Sequence, residues 1–130
     1  MIVLDASAAV TWLLGLPGAR TVDNHIDAAT VHAPDVFLLE VAQTFRRYGH
    51  QGHLTLTRSS AAFEDLSDLD ITLYPHRPLL PRVWQLRDNL TTYDASYVAL
   101  AEALDTQVLT LDARLANSPG ANNRTLLIHR

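Results

Sequence analysis

The run Ile2-Val3-Leu4 ends on Asp5 and the run Val108-Leu109-Thr110-Leu111 ends on Asp112, and each aspartate is followed by a small residue and a helical segment. Neither run alternates polar with apolar side chains. Each therefore reads as a strand covered on both faces, the habit of parallel sheets with helices above and below. In such sheets ligands collect beyond the carboxyl ends of the strands, where these two carboxylates stand. Ala6 and Ser7 leave room for a group to approach Asp5. Taken singly, each aspartate also has an ordinary use as the N-cap of the next helix.

The rest of the chain keeps the same alternation. Further strands are expected over 30–33, 71–74 and 125–128, and the fourth runs over 107–111. Helices are expected over 6–14, 19–29, about 35–48, 55–66, 82–89, about 91–104 and 113–116. Pro34 is expected in the first turn of its helix, and Pro75, Pro78 and Pro81 delay the next helix until Arg82. Strands alternating with helices define an α/β domain with a mainly parallel five-stranded sheet flanked by helices. At 130 residues it is a single domain. With the first and fourth strands adjacent, in order 3-2-1-4-5, Asp5 and Asp112 flank the switch point where a crevice opens.

Two more acids interrupt apolar faces. Glu40 lies within the stripe Val36, Phe37, Val41, Thr44 and Phe45, where an unpaired charge costs several kcal/mol; the alternative is a stripe edge where it meets an arginine. Asp94 begins the stripe Tyr97, Val98 and Ala101, and with Thr91 it matches a capping box. His50 and His53, in a glycine-flanked turn without neighbouring acids, read as a solvated loop.

Four carboxylates brought together repel one another unless a cation is present. Oxygen ligands alone suit a hard ion, Mg²⁺ with Mn²⁺ as substitute, and such a site lends itself to phosphodiester hydrolysis. Ser7 and Thr110, beside Asp5 and Asp112, are candidates for hydrogen bonds that orient those carboxylates. There is no cysteine, so no disulfide or thiolate contributes, which is compatible with the cytoplasm. The first residues lack the basic start of a signal peptide, and no run has membrane-spanning length.

The segments Ile2-Val3-Leu4-Asp5-Ala6-Ser7-Ala8, Leu38-Leu39-Glu40-Val41-Ala42, Leu90-Thr91-Thr92-Tyr93-Asp94-Ala95-Ser96-Tyr97-Val98-Ala99-Leu100-Ala101-Glu102 and Leu109-Thr110-Leu111-Asp112-Ala113-Arg114-Leu115-Ala116 resemble, in order, the PIN-domain ribonucleases, in particular the VapC toxins of toxin–antitoxin pairs. The resemblance implies a single PIN-like domain over 1–130, Mg²⁺-dependent endoribonuclease activity on RNA, a homodimer, and a VapB-type antitoxin whose C-terminal segment covers the active site. It maps the family's acids onto Asp5, Glu40, Asp94 and Asp112, with Asp5 and Asp94 the most consistent metal ligands. Over 49–89 the match is general only.

Receiver domains and haloacid-dehalogenase-type phosphatases also place aspartates at strand ends, but each relies on a lysine. This chain has none; all ten basic residues counted as Lys or Arg are arginine. The remaining alternative is a catalytically silent PIN-like scaffold that binds RNA or protein, which the complete acid set disfavours. A net charge of −4 argues against passive nucleic-acid binding through a basic surface. Arg46, Arg47, Arg82 and Arg87 are the candidates for phosphate contacts around the crevice.

Overall fold

A computed structural model describes residues 1–130. Five parallel strands form one sheet in the order β3-β2-β1-β4-β5, as expected from the sequence. The elements in chain order are β1 (Ile2–Leu4), α1 (Ala6–Leu14), α2 (Ala19–Asp27), β2 (Val31–Pro34), α3 (Val36–His50), α4 (Leu56–Ser67), β3 (Thr72–Tyr74), a 3₁₀ turn (Arg77–Leu79), α5 (Leu80–Gln85), α6 (Thr92–Leu104), β4 (Val108–Thr110), α7 (Ala113–Ala116) and β5 (Thr125–Leu127).

The central strands are buried because helices cover them. Val3, Leu4, Val108 and Leu109 are fully buried. Helix α6 packs across β1, β2 and β4, while α1 packs against α2, α3 and α4. Phe37, Val41 and Phe45 turn the stripe of α3 inward, and Tyr97, Val98 and Ala101 do the same for α6.

Two expectations are corrected. Pro34 closes β2 and pairs with Tyr74 instead of opening the next helix. Pairing of β1 with β2 ends at His32, so the missing N–H of Pro34 deprives no neighbour. Helix α5 begins at Leu80, earlier than Arg82, because Pro81 sits in its first turn, where a proline loses no intrahelical bond; it also ends earlier, at Gln85.

Candidate active site

Asp5 leaves β1 with its N–H bonded to the Leu109 carbonyl and caps α1, its Oδ1 accepting from the Ala8 amide at 2.9 Å. The capping and site readings of Asp5 thus describe one side chain. Oδ1 also accepts from the Ser7 hydroxyl at 2.7 Å, and Oδ2 accepts from the Thr110 hydroxyl. Burial pushes its carboxyl up to about 6; the Thr110, Ala8 and Ser7 bonds pull the other way, and nearby Asp112 adds to the rise. No arginine or histidine pairs with it.

Thr110 and Ser7 lock the ends of β1 and β4 together. The Thr110 oxygen accepts from the Asp112 amide at 2.9 Å while its proton serves Asp5, and Ser7 Oγ accepts from the Leu111 amide at 3.0 Å. Asp112 in turn caps α7, its Oδ1 accepting from the amides of Arg114 and Leu115 at 3.0 and 3.3 Å.

Asp94 stands in the first turn of α6, which Thr91 caps by accepting from the Asp94 amide at 3.1 Å. Only this half of the expected capping box forms. The Asp94 carboxylate faces Arg114, whose Nη2 lies 3.1 Å from Asp94 Oδ2 and 3.5 Å from Asp112 Oδ2. Glu40 meets no arginine; it accepts from the Tyr97 hydroxyl at 2.6 Å. Partial burial raises the Glu40 carboxyl, the Tyr97 bond opposes this, and Asp94 reinforces it. Tyr97 is itself buried and pushed well above the ordinary phenol range, first by burial and then by Glu40, with Asp5 and Asp94 adding to it.

The four acids are linked pairwise: Thr110 joins Asp5 to the Asp112 amide, Arg114 faces Asp94 and Asp112, and Tyr97, three residues after Asp94 on α6, holds Glu40. No three acidic or histidine side chains close into a single ligating cluster, and the Arg114 fork stands between two of the acids. The donor chemistry fits Mg²⁺ or Mn²⁺, since Mg²⁺ keeps several waters and takes only one or two carboxylates directly. Asp5, buried and without a cationic partner, is the carboxylate that such an ion would relieve most.

Tyr97 and Arg114 escaped the reading of the sequence as site residues. Tyr97 had a signal, three positions from Asp94 on one helical face. Arg114 had none, because its reach across to α6 is a tertiary fact. Of the candidate phosphate-binding arginines, Arg47 shares an open groove of about 410 Å³ with Glu40, Gln43 and Tyr93. Arg46 lines a different concavity with Phe45 and Phe63. Arg82 is committed to Glu102 through two bonds of 2.8 and 3.1 Å, and Arg87 lies over the Trp84 ring. His50 and His53 are exposed, as expected, although His50 is the last residue of α3 and not part of the turn.

A family model of the PIN domain matches residues 2–120. Ribonuclease VapC9 of Mycobacterium tuberculosis is 41% identical over 118 residues, 91% of either chain. Ribonuclease VapC12 of the same species is 37% identical over 128 residues, 98% of this chain and 99% of that one. Two solved structures share the fold. PAE2754 of Pyrobaculum aerophilum has a TM-score of 0.69 at 20% identity, covering 92% of this chain and 81% of its own. Mycobacterium tuberculosis VapC20, described as a sarcin-ricin loop cleaving toxin, has a TM-score of 0.68 at 15% identity over the whole of both chains. With the family model spanning almost all of the sequence and such relatives matching it nearly end to end, the chain belongs to the PIN-domain family, in its VapC branch.

Proposed function

We propose that this protein is a metal-dependent endoribonuclease that hydrolyses RNA phosphodiester bonds in the cytoplasm, as the toxin of a type II toxin–antitoxin pair. The single observation that carries the reading is a buried Asp5 carboxylate with no cationic partner and with Asp112 close enough to raise it further. The names of the VapC ribonuclease relatives support the same activity.

Asp5 and Asp94 are the principal holders of Mg²⁺, or of Mn²⁺ in its place, with Glu40 and Asp112 completing the acidic set. When bound, such an ion supplies Lewis acidity toward a phosphoryl oxygen and acidifies water at the scissile bond. Ser7 and Thr110 fix the Asp5 carboxylate by donating to its two oxygens. Tyr97 holds Glu40 in the same way. Arg114, two-thirds exposed, neutralises Asp94 and Asp112 and is free to turn toward a substrate phosphate. The active species is a homodimer, and a VapB-type antitoxin restrains it.

A silent scaffold has one observation on its side: Arg114 already supplies positive charge to two of the acids. Cleavage of end-labelled RNA by purified protein separates the readings. The nuclease requires Mg²⁺, stops with chelator, and loses at least about a hundredfold in rate in Asp5→Asn, a loss typical of removing one electrostatic element of a site. Equal cleavage by that variant defeats the proposal. Neutralisation of the cleavage by an added VapB-type antitoxin tests that pairing, and sedimentation tests the dimer.

A further inference from the structure

A slot of about 130 Å³ opens beside the acidic site, its walls including Val36, His76, Leu79, Leu80, Tyr93 and Ser96. Val36 and Tyr93 also line the groove that holds Glu40 and Arg47, so slot and groove adjoin at Tyr93. Tyr93 immediately precedes Asp94 on α6 and is 58% exposed. Its backbone is held by the Ser96 hydroxyl, which donates to the Tyr93 carbonyl at 2.6 Å. The floor is apolar, with Leu79 and Val83 buried.

One polar group in the slot has a settled orientation. The Val36 amide donates to His76 Nε2 at 3.0 Å, so the neutral ring carries its proton on Nδ1, and Nδ1 has no partner in the chain. An aromatic wall, an apolar floor and an exposed histidine at the rim form a surface for a planar heterocycle.

We propose that this slot receives one unstacked nucleobase of single-stranded RNA, stacked on Tyr93 and within reach of the His76 donor, while the adjoining phosphate lies over the acids. The proposal rests on the ribonuclease reading. Proteins take splayed-out bases in this manner, by stacking on aromatic rings and hydrogen bonds to base edges. Stacking matters more here than in a basic protein. The chain carries a net charge of −4, and Arg82 and Arg124 are spent on ion pairs. Because every base has a π-face, Tyr93 positions the strand without by itself selecting a sequence.

The test uses single-stranded RNA octamers carrying one 2-aminopurine, moved position by position, bound to full-length Asp5→Asn protein so that no cleavage occurs. One position is expected to lose fluorescence on binding to this parent and to its Tyr93→Phe derivative. Tyr93→Ala is expected to lose the quenching and to bind roughly tenfold more weakly. Retention by Tyr93→Phe shows that the fold is intact and that the ring, not the hydroxyl, acts. Quenching and affinity unchanged in Tyr93→Ala overturn the proposal. Loss of a dimer in Tyr93→Ala with RNA affinity retained also overturns it, since the slot then holds a second copy. A parent that binds no octamer defeats the ribonuclease reading and the slot together, whereas a parent that binds while Tyr93→Ala behaves alike defeats the slot alone.

Discussion

The Tyr97 hydroxyl donates to Glu40 Oε1 at 2.6 Å and so ties α6 to α3 across 57 positions of sequence. Glu40 is the only partner of that buried phenol, and the phenol is the only donor to the Glu40 carboxylate, Thr44 donating to the Glu40 backbone carbonyl instead. Tyr97→Phe therefore leaves a partly buried carboxylate unsatisfied, at a cost of about 1–3 kcal/mol. Urea denaturation at pH 7 is expected to show that loss. At pH 4 the loss shrinks, because the Glu40 carboxyl, already raised by burial and by Asp94, takes up a proton. An equal loss at both pH values would assign the effect to packing.

Asp5 makes stability depend on pH in a definite direction. Its carboxyl is raised from 3.8 to about 6, so between these values the unfolded chain ionises first and stability falls as pH rises. Above about pH 6 the penalty is constant, on the order of 3 kcal/mol. His32 acts oppositely. Burial pulls its ring below the ordinary 6.5, the positive N-terminus adding to the effect, and stability falls as pH drops through the unfolded value. Subtracting the parent curve from that of Asp5→Asn isolates Asp5. Without divalent ions the variant is expected to melt several degrees higher at pH 7.5, with the gap closing toward pH 4. Mg²⁺ narrows the gap at pH 7.5 by stabilising the parent alone. A difference curve flat in pH would refute the account.

What the sequence reveals of this site follows from which contacts are local. Uninterrupted apolar runs identify parallel strands, and their order places Asp5 and Asp112 side by side. Glu40 and Asp94 betray themselves by sitting where helical periodicity puts core residues. Arg114 shows no such sign, because its partner Asp94 lies twenty positions away on another helix. Arg82 misleads for the same reason: it reads as a free basic group, yet its fork is matched by Glu102 of a packed neighbour. Pro34 misleads because helix starts and strand ends both tolerate a missing N–H.

Arg114 faces two carboxylates from one guanidinium, and its side chain is two-thirds exposed. An exposed pair of this kind contributes at most about 1 kcal/mol to folding, so Arg114→Gln is expected to change the melting temperature little. Its larger effect is on cation binding, because a divalent ion at Asp94 and Asp112 has to displace the guanidinium. Titration with Mn²⁺, followed by paramagnetic resonance, is expected to show tighter binding in Arg114→Gln than in the parent. Weaker binding would mean that Arg114 organises the acids instead of competing for them.

Arg47 and Arg82 give the sharpest contrast among the basic residues. Arg47 lies in the groove that contains Glu40 and forms no ion pair, so its charge is available to a phosphate. Reversing it, Arg47→Glu, is expected to weaken RNA binding several-fold and to reduce the salt dependence of the affinity by about one counterion. Arg82 grips Glu102, about 12 Å along α6 from Asp94 at the helical rise, with two bonds to that carboxylate and a third to the Gln85 side-chain carbonyl. Arg82→Ala is expected to lower stability by about 1 kcal/mol, as for a partly exposed bidentate pair, and to leave RNA affinity and its salt slope as they were. Fluorescence anisotropy over a salt series reads both variants. If Arg82→Ala lowers the salt slope and Arg47→Glu does not, the RNA path crosses α5 instead of the groove beside Glu40.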